Sequence, residues 1–154
     1  MLVSAPEPLE TRTSMRGLGK TAPMNPDAAV VDQQAREWEA WPAEQVHERG
    51  QAEWKTLISA GLTRSEGLTL GVGRLPPGGA LHAHRHEQHE AYLVLDGTGV
   101  VTIDGRAQPV GPGVAVFIPG NAVHSVETTG ESDLRMAYVL AADSFEDVEY
   151  VFTG

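Results

Sequence analysis

The sequence from Trp54 onward is divided into short apolar runs by clusters of turn-forming residues. The runs are rich in β-branched and aliphatic side chains and extend over Leu68 to Leu75, Ala91 to Leu95, Val100 to Ile103, Val114 to Ile118 and Leu134 to Leu140. They are separated by turn residues, as in Pro76 to Gly79, Asp104-Gly105 and Gly111 to Gly113. Short strands at intervals of about 8 to 12 residues, with no long helical pattern between them, predict an all-β sandwich or barrel.

The residues before Trp54 have a different character. Residues 1–26 are rich in Pro, Thr, Ser and Gly, which predicts a flexible N-terminal arm. Residues 27–53 tolerate helix, and apolar side chains such as Val31 and Ala35 recur near helical spacing, which predicts a short helical segment. Residues 54–154 then form the barrel, and the apolar side chains within 143–154 predict that this last stretch packs back as a strand. A length of 154 residues suits one such domain.

Charge and cysteine content exclude several kinds of partner and site. The chain has 11 basic and 21 acidic side chains, a net charge of −10, so it repels nucleic acid phosphates and anionic membrane surfaces alike. It contains no Cys, so a metal site must use His, carboxylate or water as ligands. No apolar run reaches the roughly 18 residues of a membrane span, and the N-terminus lacks the apolar core of a signal peptide. These features predict a cytoplasmic protein without a nucleic acid or membrane partner.

The densest cluster of ionisable side chains lies between His82 and Glu90. In an extended chain His84 and His86 point to the same side, roughly 6.6 Å apart at about 3.3 Å per residue. Glu90 and Tyr92 share one face for the same reason. Two imidazoles and a carboxylate that face inward form an incomplete metal site, which needs one more ligand from elsewhere in the chain.

His124 is the residue that we predict completes this site. It follows the turn Pro119-Gly120-Asn121 and lies in another apolar run, so an antiparallel partner strand can bring it beside the first histidines. Three histidines and one glutamate leave one or two positions of an octahedral ion open for a substrate. An open position is typical of catalytic metal sites rather than purely structural ones.

The same residues fit two sequence motifs, and through these motifs the chain resembles the cupin superfamily. The first motif has Gly, His, His, Glu and Gly at fixed spacings, and its positions are filled by Gly78, His84, His86, Glu90 and Gly97. The second motif is matched at Gly113, Pro119 and His124, whereas Asn121 replaces the usual Gly and Thr128 replaces the usual Asn. Asn tolerates the left-handed backbone conformation that such a turn needs, so the first replacement is mild.

The cupin resemblance covers about residues 68 to 140 and implies an all-β double-stranded β-helix, the cupin or jelly-roll barrel. It also implies that His84, His86, Glu90 and His124 bind one divalent transition metal ion. We favour Mn or Fe(II) for this ligand set, and Ni, Co and Zn also suit it. Cupins often dimerise, so the resemblance leaves a homodimer open.

Within the superfamily, the chain resembles the small bacterial cupin lyases that cleave dimethylsulfoniopropionate (DMSP). The resemblance lies in the size, the segment before a single barrel, the complete ligand set and the triplet Glu90-Ala91-Tyr92. It implies a small carboxylate substrate, Tyr92 as the catalytic base, and Tyr138 or Tyr150 as a second tyrosine at the site. The sulfonium group of DMSP is a soft cation, which suits an aromatic face such as that of Trp38.

Two other functions would use the same ligands. Fe(II) at this site can activate dioxygen, which corresponds to a cupin dioxygenase. A protein with the complete metal site that catalyses no reaction would be a small-molecule or metal-binding cupin. Tyr92 also has a structural alternative, because an aromatic residue at this position fills the interior of a barrel.

Overall fold

Short strands form most of the regular structure in residues 22–154, the part of the chain that the computed structural model describes. The strands are β1 Glu39–Ala40, β2 Glu53–Ile58, β3 Thr69–Leu75, β4 Ala80–Arg85, β5 Glu90–Asp96, β6 Gly99–Ile103, β7 Arg106–Val110, β8 Ala115–Ile118, β9 His124–Thr128, β10 Leu134–Leu140 and β11 Val151–Phe152. They pair in two antiparallel sheets, in the orders β1-β2-β3-β10-β5-β8 and β11-β4-β9-β6-β7. The predicted all-β jelly-roll barrel is therefore confirmed. Most of the predicted arm, residues 1–21, lies outside the described residues.

Alternation along the strands decides which side chains enter the core. In β5, Tyr92 and Val94 are buried while Leu93 and Leu95 are exposed, as expected where one face of a strand meets a second sheet. Side chains from both sheets meet in one apolar core, which includes Val101, Ile118, Val126, Leu134 and Met136. Full burial of a side chain of this size contributes about 1.5 to 3 kcal/mol, so this core holds the two sheets together.

The five predicted apolar runs are all strands, with ends that differ by at most one residue. Strand β7 carries no such pattern, because its first four residues are exposed and Pro109 interrupts it. It lies at the edge of the second sheet. An edge strand tolerates Pro and can leave both of its faces exposed. The hairpin between β6 and β7 turns at Asp104-Gly105, where both residues have positive φ, 46° and 78°. An Asp-Gly pair adopts this conformation readily, so the turn follows directly from the sequence.

The segment 27–53 contains short pieces rather than one continuous helix. Two 3₁₀ turns, Gln33–Ala35 and Ala43–Gln45, precede the single-turn helix α1, Val46–Arg49. Between the two turns, β1 joins the first sheet by pairing with β2, with Glu39 opposite Trp54. Pro42 follows β1 and has no N–H to donate, so a helix cannot run through it. The domain boundaries at residues 27 and 54 stay predictions, and in residues 22–154 no helix is long and apolar enough to cross a membrane.

Candidate metal centre

Four buried side chains from both sheets meet inside the barrel. His84 lies on β4, His86 follows that strand, Glu90 begins β5 and His124 begins β9. The pairing of β4 with β9 places His84 directly opposite His124, and β5 brings Glu90 from the other sheet. One ligand atom of each residue lies within 4.8 Å of those of the other three, and each residue is at most 6% exposed. The structure therefore brings together the four residues that the spacing pointed to.

Each imidazole in the cluster is oriented by a backbone carbonyl. The Nδ1 atom of His84 lies 2.8 Å from the carbonyl oxygen of His82, and that of His124 lies 2.9 Å from the carbonyl oxygen of Ala122. The Nδ1 atom of His86 lies 3.0 Å from the carbonyl oxygen of Gln88. When Nδ1–H donates to a carbonyl, the Nε2 lone pair faces the centre of the cluster. Metal-binding histidines are typically held in this way.

The position of Glu90 shows that these residues fit a metal ion. Its Oε2 atom lies 3.1 Å from Nε2 of His86 and 3.2 Å from Nε2 of His124. A neutral imidazole has only one N–H, so it cannot donate both to its carbonyl and to this carboxylate. Either extra protons or a cation must therefore compensate the facing lone pairs. Three imidazole nitrogens and one carboxylate are a donor set that suits a divalent transition metal.

Burial controls the charges of the cluster. Burial lowers the pKa of His84 to about 4, and the charge of His124 acts in the same direction. Burial by itself would raise the pKa of Glu90, but its hydrogen bonds with His124 and His86 and the positive charge of those imidazoles together outweigh burial, so the pKa of Glu90 lies below its ordinary value. A neutral His84 and an ionised Glu90 are the protonation states in which these side chains act as metal ligands.

Two loop contacts connect the segments that carry the ligands. The backbone N–H of Asn121 donates to the carbonyl of His86 at 2.7 Å, and that of Gly120 donates to Nδ1 of His89 at 3.2 Å. Asn121 has a φ of 64°, the left-handed conformation expected of Asn in place of Gly. The contacts hold the turn before His124 against the loop after His86. Sequence reasoning missed them, because no local pattern relates His89 to a residue 31 positions away.

Tyr92 lies directly beside the cluster. Its hydroxyl donates to Oε2 of Glu90 at 3.2 Å, and its side chain is buried. Burial raises the pKa of Tyr92 well above its ordinary value, and the negative charge of Glu90 adds to this effect. Tyr92 is therefore close enough to act on a ligand at the cluster, and it is also buried as a residue that fills the barrel would be.

The other two tyrosines also lie at the site. Tyr138 on β10 is opposite Tyr92, and its hydroxyl lies 3.5 Å from Oγ1 of Thr56. The ring of Tyr150, just before β11, is 5.5 Å from the ring of His84 and 5.4 Å from that of His86. Burial raises the pKa of both tyrosines. Tyr150 therefore packs against two of the clustered imidazoles, and Tyr138 lies across the strand pair from Tyr92.

A cavity of about 660 Å³ opens beside the cluster and is lined by His84, Glu90 and all three tyrosines. Its volume is in the range of small-molecule sites. Trp38, predicted as a substrate contact, does not line this cavity. Its ring instead stacks against the guanidinium of Arg74 at 4.1 Å and lies 4.9 Å from the ammonium of Lys55. The pairing of β1 with β2 carries Trp38 past the cavity, whereas Trp41 and Trp54 line it.

Comparisons with known proteins identify the family of this barrel. Residues 71–140 match the family described as Cupin domain. The DMSP lyase DddW of Ruegeria pomeroyi is 43% identical over 105 residues, which is 68% of each protein. An oxalate-binding protein of Thermotoga maritima is 31% identical over 93 residues, 60% of this chain and 77% of that protein. The chain belongs to the cupin superfamily.

The structure of this cupin agrees with the sequence comparison. It is similar to the crystal structure of a predicted oxalate decarboxylase from Thermotoga maritima, with a TM-score of 0.65 and 26% sequence identity. The similarity covers 74% of this chain and 99% of that one. The resemblance to cupins, and within them to a DMSP lyase, is therefore confirmed. The ligand cluster lies within the residues that match the cupin family, whereas Tyr150 lies beyond them.

Proposed function

We propose that this cupin is a metal-dependent carbon-sulfur lyase that cleaves DMSP to dimethyl sulfide and acrylate. The observation that carries the proposal is the buried cluster of three histidines and one glutamate at the wall of a cavity, with the Tyr92 hydroxyl beside Glu90. The similarity to DddW, named as a DMSP lyase, supports this substrate. The similarity to an oxalate-binding protein supports the wider class, because DMSP and oxalate both carry carboxylates.

In this proposal the four clustered side chains hold one divalent ion, and Tyr92 moves the proton. When bound, the ion polarises the substrate carboxylate, which acidifies the α-proton, and its charge favours the phenolate of Tyr92. The Tyr92 oxygen takes the α-proton, and the electrons of the C–H bond form the double bond of acrylate. The carbon-sulfur bond breaks, and dimethyl sulfide leaves with the electron pair of that bond. The protonated Tyr92 hydroxyl can then donate to Glu90 again.

Tyr138 and Tyr150 are the proposed substrate contacts. Both line the cavity, and they come from opposite sides of it, since Tyr138 belongs to the first sheet and Tyr150 precedes β11 of the second. Their rings limit the water that reaches a substrate at the cluster. We propose Mn or Fe(II) as the metal, because both ions accept a mixed set of imidazole and carboxylate ligands.

The experiment that tests the lyase is headspace detection of dimethyl sulfide over purified protein supplied with DMSP. Chelator-treated protein is compared with protein reloaded with Mn(II) or Fe(II), and we expect release only after reloading, since the ion polarises the carboxylate. A protein that carries one ion per chain and releases no dimethyl sulfide would contradict the lyase. Oxygen uptake by such a protein on addition of a carboxylate would instead identify a dioxygenase, and ligand binding without turnover would identify a binding cupin.

We also propose that the protein forms a homodimer through the outer face of the first sheet. The exposed side chains there include Phe117, which is 64% exposed, and Leu93. The cross-strand rows through Val139 and Ala137 continue with apolar residues on β5 and β8. Two copies with a net charge of −10 each can meet at this face without bringing acidic side chains together.

Sedimentation velocity at micromolar concentration tests the dimer. We expect the wild-type protein to sediment as a dimer and Phe117→Glu as a monomer, because a charge at the centre of an apolar interface is costly to bury. Val30→Glu is the matched control, since Val30 is 86% exposed and belongs to none of the strands of the first sheet. A monomeric wild-type protein would be evidence against the interface.

A further inference from the structure

Four aromatic rings form a closed circuit at the wall of the cavity. The ring centroids of Trp41 and Trp54 are 4.7 Å apart, those of Trp54 and Phe145 are 6.5 Å apart, and those of Phe145 and Tyr150 are 6.5 Å apart. Tyr150 closes the circuit at 5.9 Å from Trp41. The angles between neighbouring planes range from 31° to 74°, so the rings do not stack as parallel plates. We call these four residues the aromatic box.

The aromatic box lies next to the ligand cluster but is not part of the shared cupin region. All four residues line the same cavity as His84 and Glu90, and each is half-buried. Tyr150 is common to both sites, because its ring is 5.5 Å from that of His84. The box residues all lie outside residues 71–140, on the segments before and after the matched barrel strands. The box is therefore supplied by the flanks of this chain.

The charges around the cavity favour a cationic ligand at the box. Besides Glu90, the carboxylates of Glu39, Glu53 and Glu146 line the cavity, whereas among the described residues no Lys or Arg does so. The guanidinium of Arg49, which is not part of the lining, already lies over the Trp41 ring at 4.8 Å. Arg74 neutralises Glu53 at 2.7 Å, but Glu39 lies opposite Trp54 in the pairing of β1 with β2. Aromatic faces and nearby carboxylates both attract positive charge.

We propose that the aromatic box binds fully alkylated onium cations, either trialkylsulfonium or quaternary ammonium, and that it does so without the metal ion. Such cations have no N–H or O–H to donate, so a site for them needs ring faces and apolar contact rather than hydrogen-bond acceptors. The half-buried rings of the box offer both. The choice of sulfonium as the natural ligand rests on the proposed lyase function, whereas the binding of onium cations rests on the box itself.

The test is an NMR titration of the full-length protein after removal of metal by chelation. The probes are trimethylsulfonium and tetramethylammonium, and tert-butanol is the neutral control of similar shape. We expect both cations to bind at least about threefold more tightly than tert-butanol, with nuclear Overhauser contacts from their methyl protons to ring protons of the box. Equal binding of tert-butanol, or methyl contacts confined to other residues, would overturn the proposal.

Substitution of one ring provides a second measurement. Phe145→Leu keeps the apolar bulk but removes the ring face, so we expect onium binding to weaken about threefold or more while tert-butanol binding is unchanged. Trp38→Leu is the matched control, because Trp38 lies outside the cavity, and it should change neither. If Phe145→Leu leaves onium binding unchanged, the assignment of onium binding to the aromatic box would be wrong. If this variant does not fold, the ring contacts in the wild-type protein decide the question.

The experiment separates this proposal from the lyase. The metal-loaded protein could release dimethyl sulfide while the metal-free protein binds cations no better than tert-butanol. This result would support the lyase proposal and contradict onium binding at the aromatic box. A protein that binds onium cations but never cleaves DMSP would support onium binding at the aromatic box and contradict the lyase proposal. Tighter binding of trimethylsulfonium supports a sulfonium as the natural ligand, and tighter binding of tetramethylammonium supports a quaternary ammonium compound.

Discussion

The His124→Ala variant is expected to bind the metal ion more than about 100-fold more weakly than the wild-type protein. Loss of a partner outside the ligand set typically costs 10- to 100-fold in metal affinity, so loss of a ligand should cost more. His124 is 1% exposed and begins β9, where no neighbouring imidazole can replace it without moving a strand. Lyase activity should fall together with the bound metal. Elemental analysis of the purified protein and competition with a chelator measure the effect.

The control for this prediction is His47→Ala. His47 is exposed on helix α1 and is not a member of the buried cluster, so its loss should leave the metal content unchanged. Circular dichroism should show the same fold for both variants. Unchanged metal content in His124→Ala would mean that the cluster is not the metal site, and the lyase proposal would lose its basis.

The Tyr92→Phe variant is expected to keep its metal and lose about 100- to 10,000-fold in kcat. General acid-base groups contribute effects of this size, and phenylalanine removes only the hydroxyl that would accept the α-proton. The ring continues to fill the same buried position between β10 and β8, so the fold should be retained. The measurement combines the rate of dimethyl sulfide release with metal content for the same preparation.

The structural alternative for Tyr92 predicts a different outcome. If the ring only fills the barrel, Tyr92→Phe should be as active as the wild-type protein, because the change removes only the hydroxyl and its hydrogen bond to Glu90, and the ring itself stays. Full activity would therefore exclude Tyr92 as the base. Loss of metal together with activity would show instead that the hydroxyl supports Glu90 as a ligand. The metal content thus distinguishes a chemical role from a supporting one.

Most of the barrel could be predicted because its signals are local. Turn residues such as Asp104-Gly105 set the backbone by their own conformational preferences, and the apolar runs between the turns are strands. Strand β7 could not be predicted in this way, because an exposed edge strand needs no apolar face. The apolar spacing within residues 27–53 predicted one helical segment, but the rings of Trp38 and Trp41 pack in different places. Trp38 lies against Arg74, whereas Trp41 lies against Trp54 and Tyr150. These contacts join residues that are far apart in the sequence, so local periodicity does not predict them.

The four clustered side chains could be identified from the sequence, because alternation in an extended chain and the turn before His124 are local properties. How these side chains are held depends on the folded barrel, which supplies the carbonyl contacts of the imidazoles and the contact of Gly120 with His89. The tertiary structure also decided the wall of the cavity, placing Trp41 there and Trp38 elsewhere. The aromatic box joins segments from both ends of the described chain. Such a contact depends on how the sheets close, and no pattern within either segment records it.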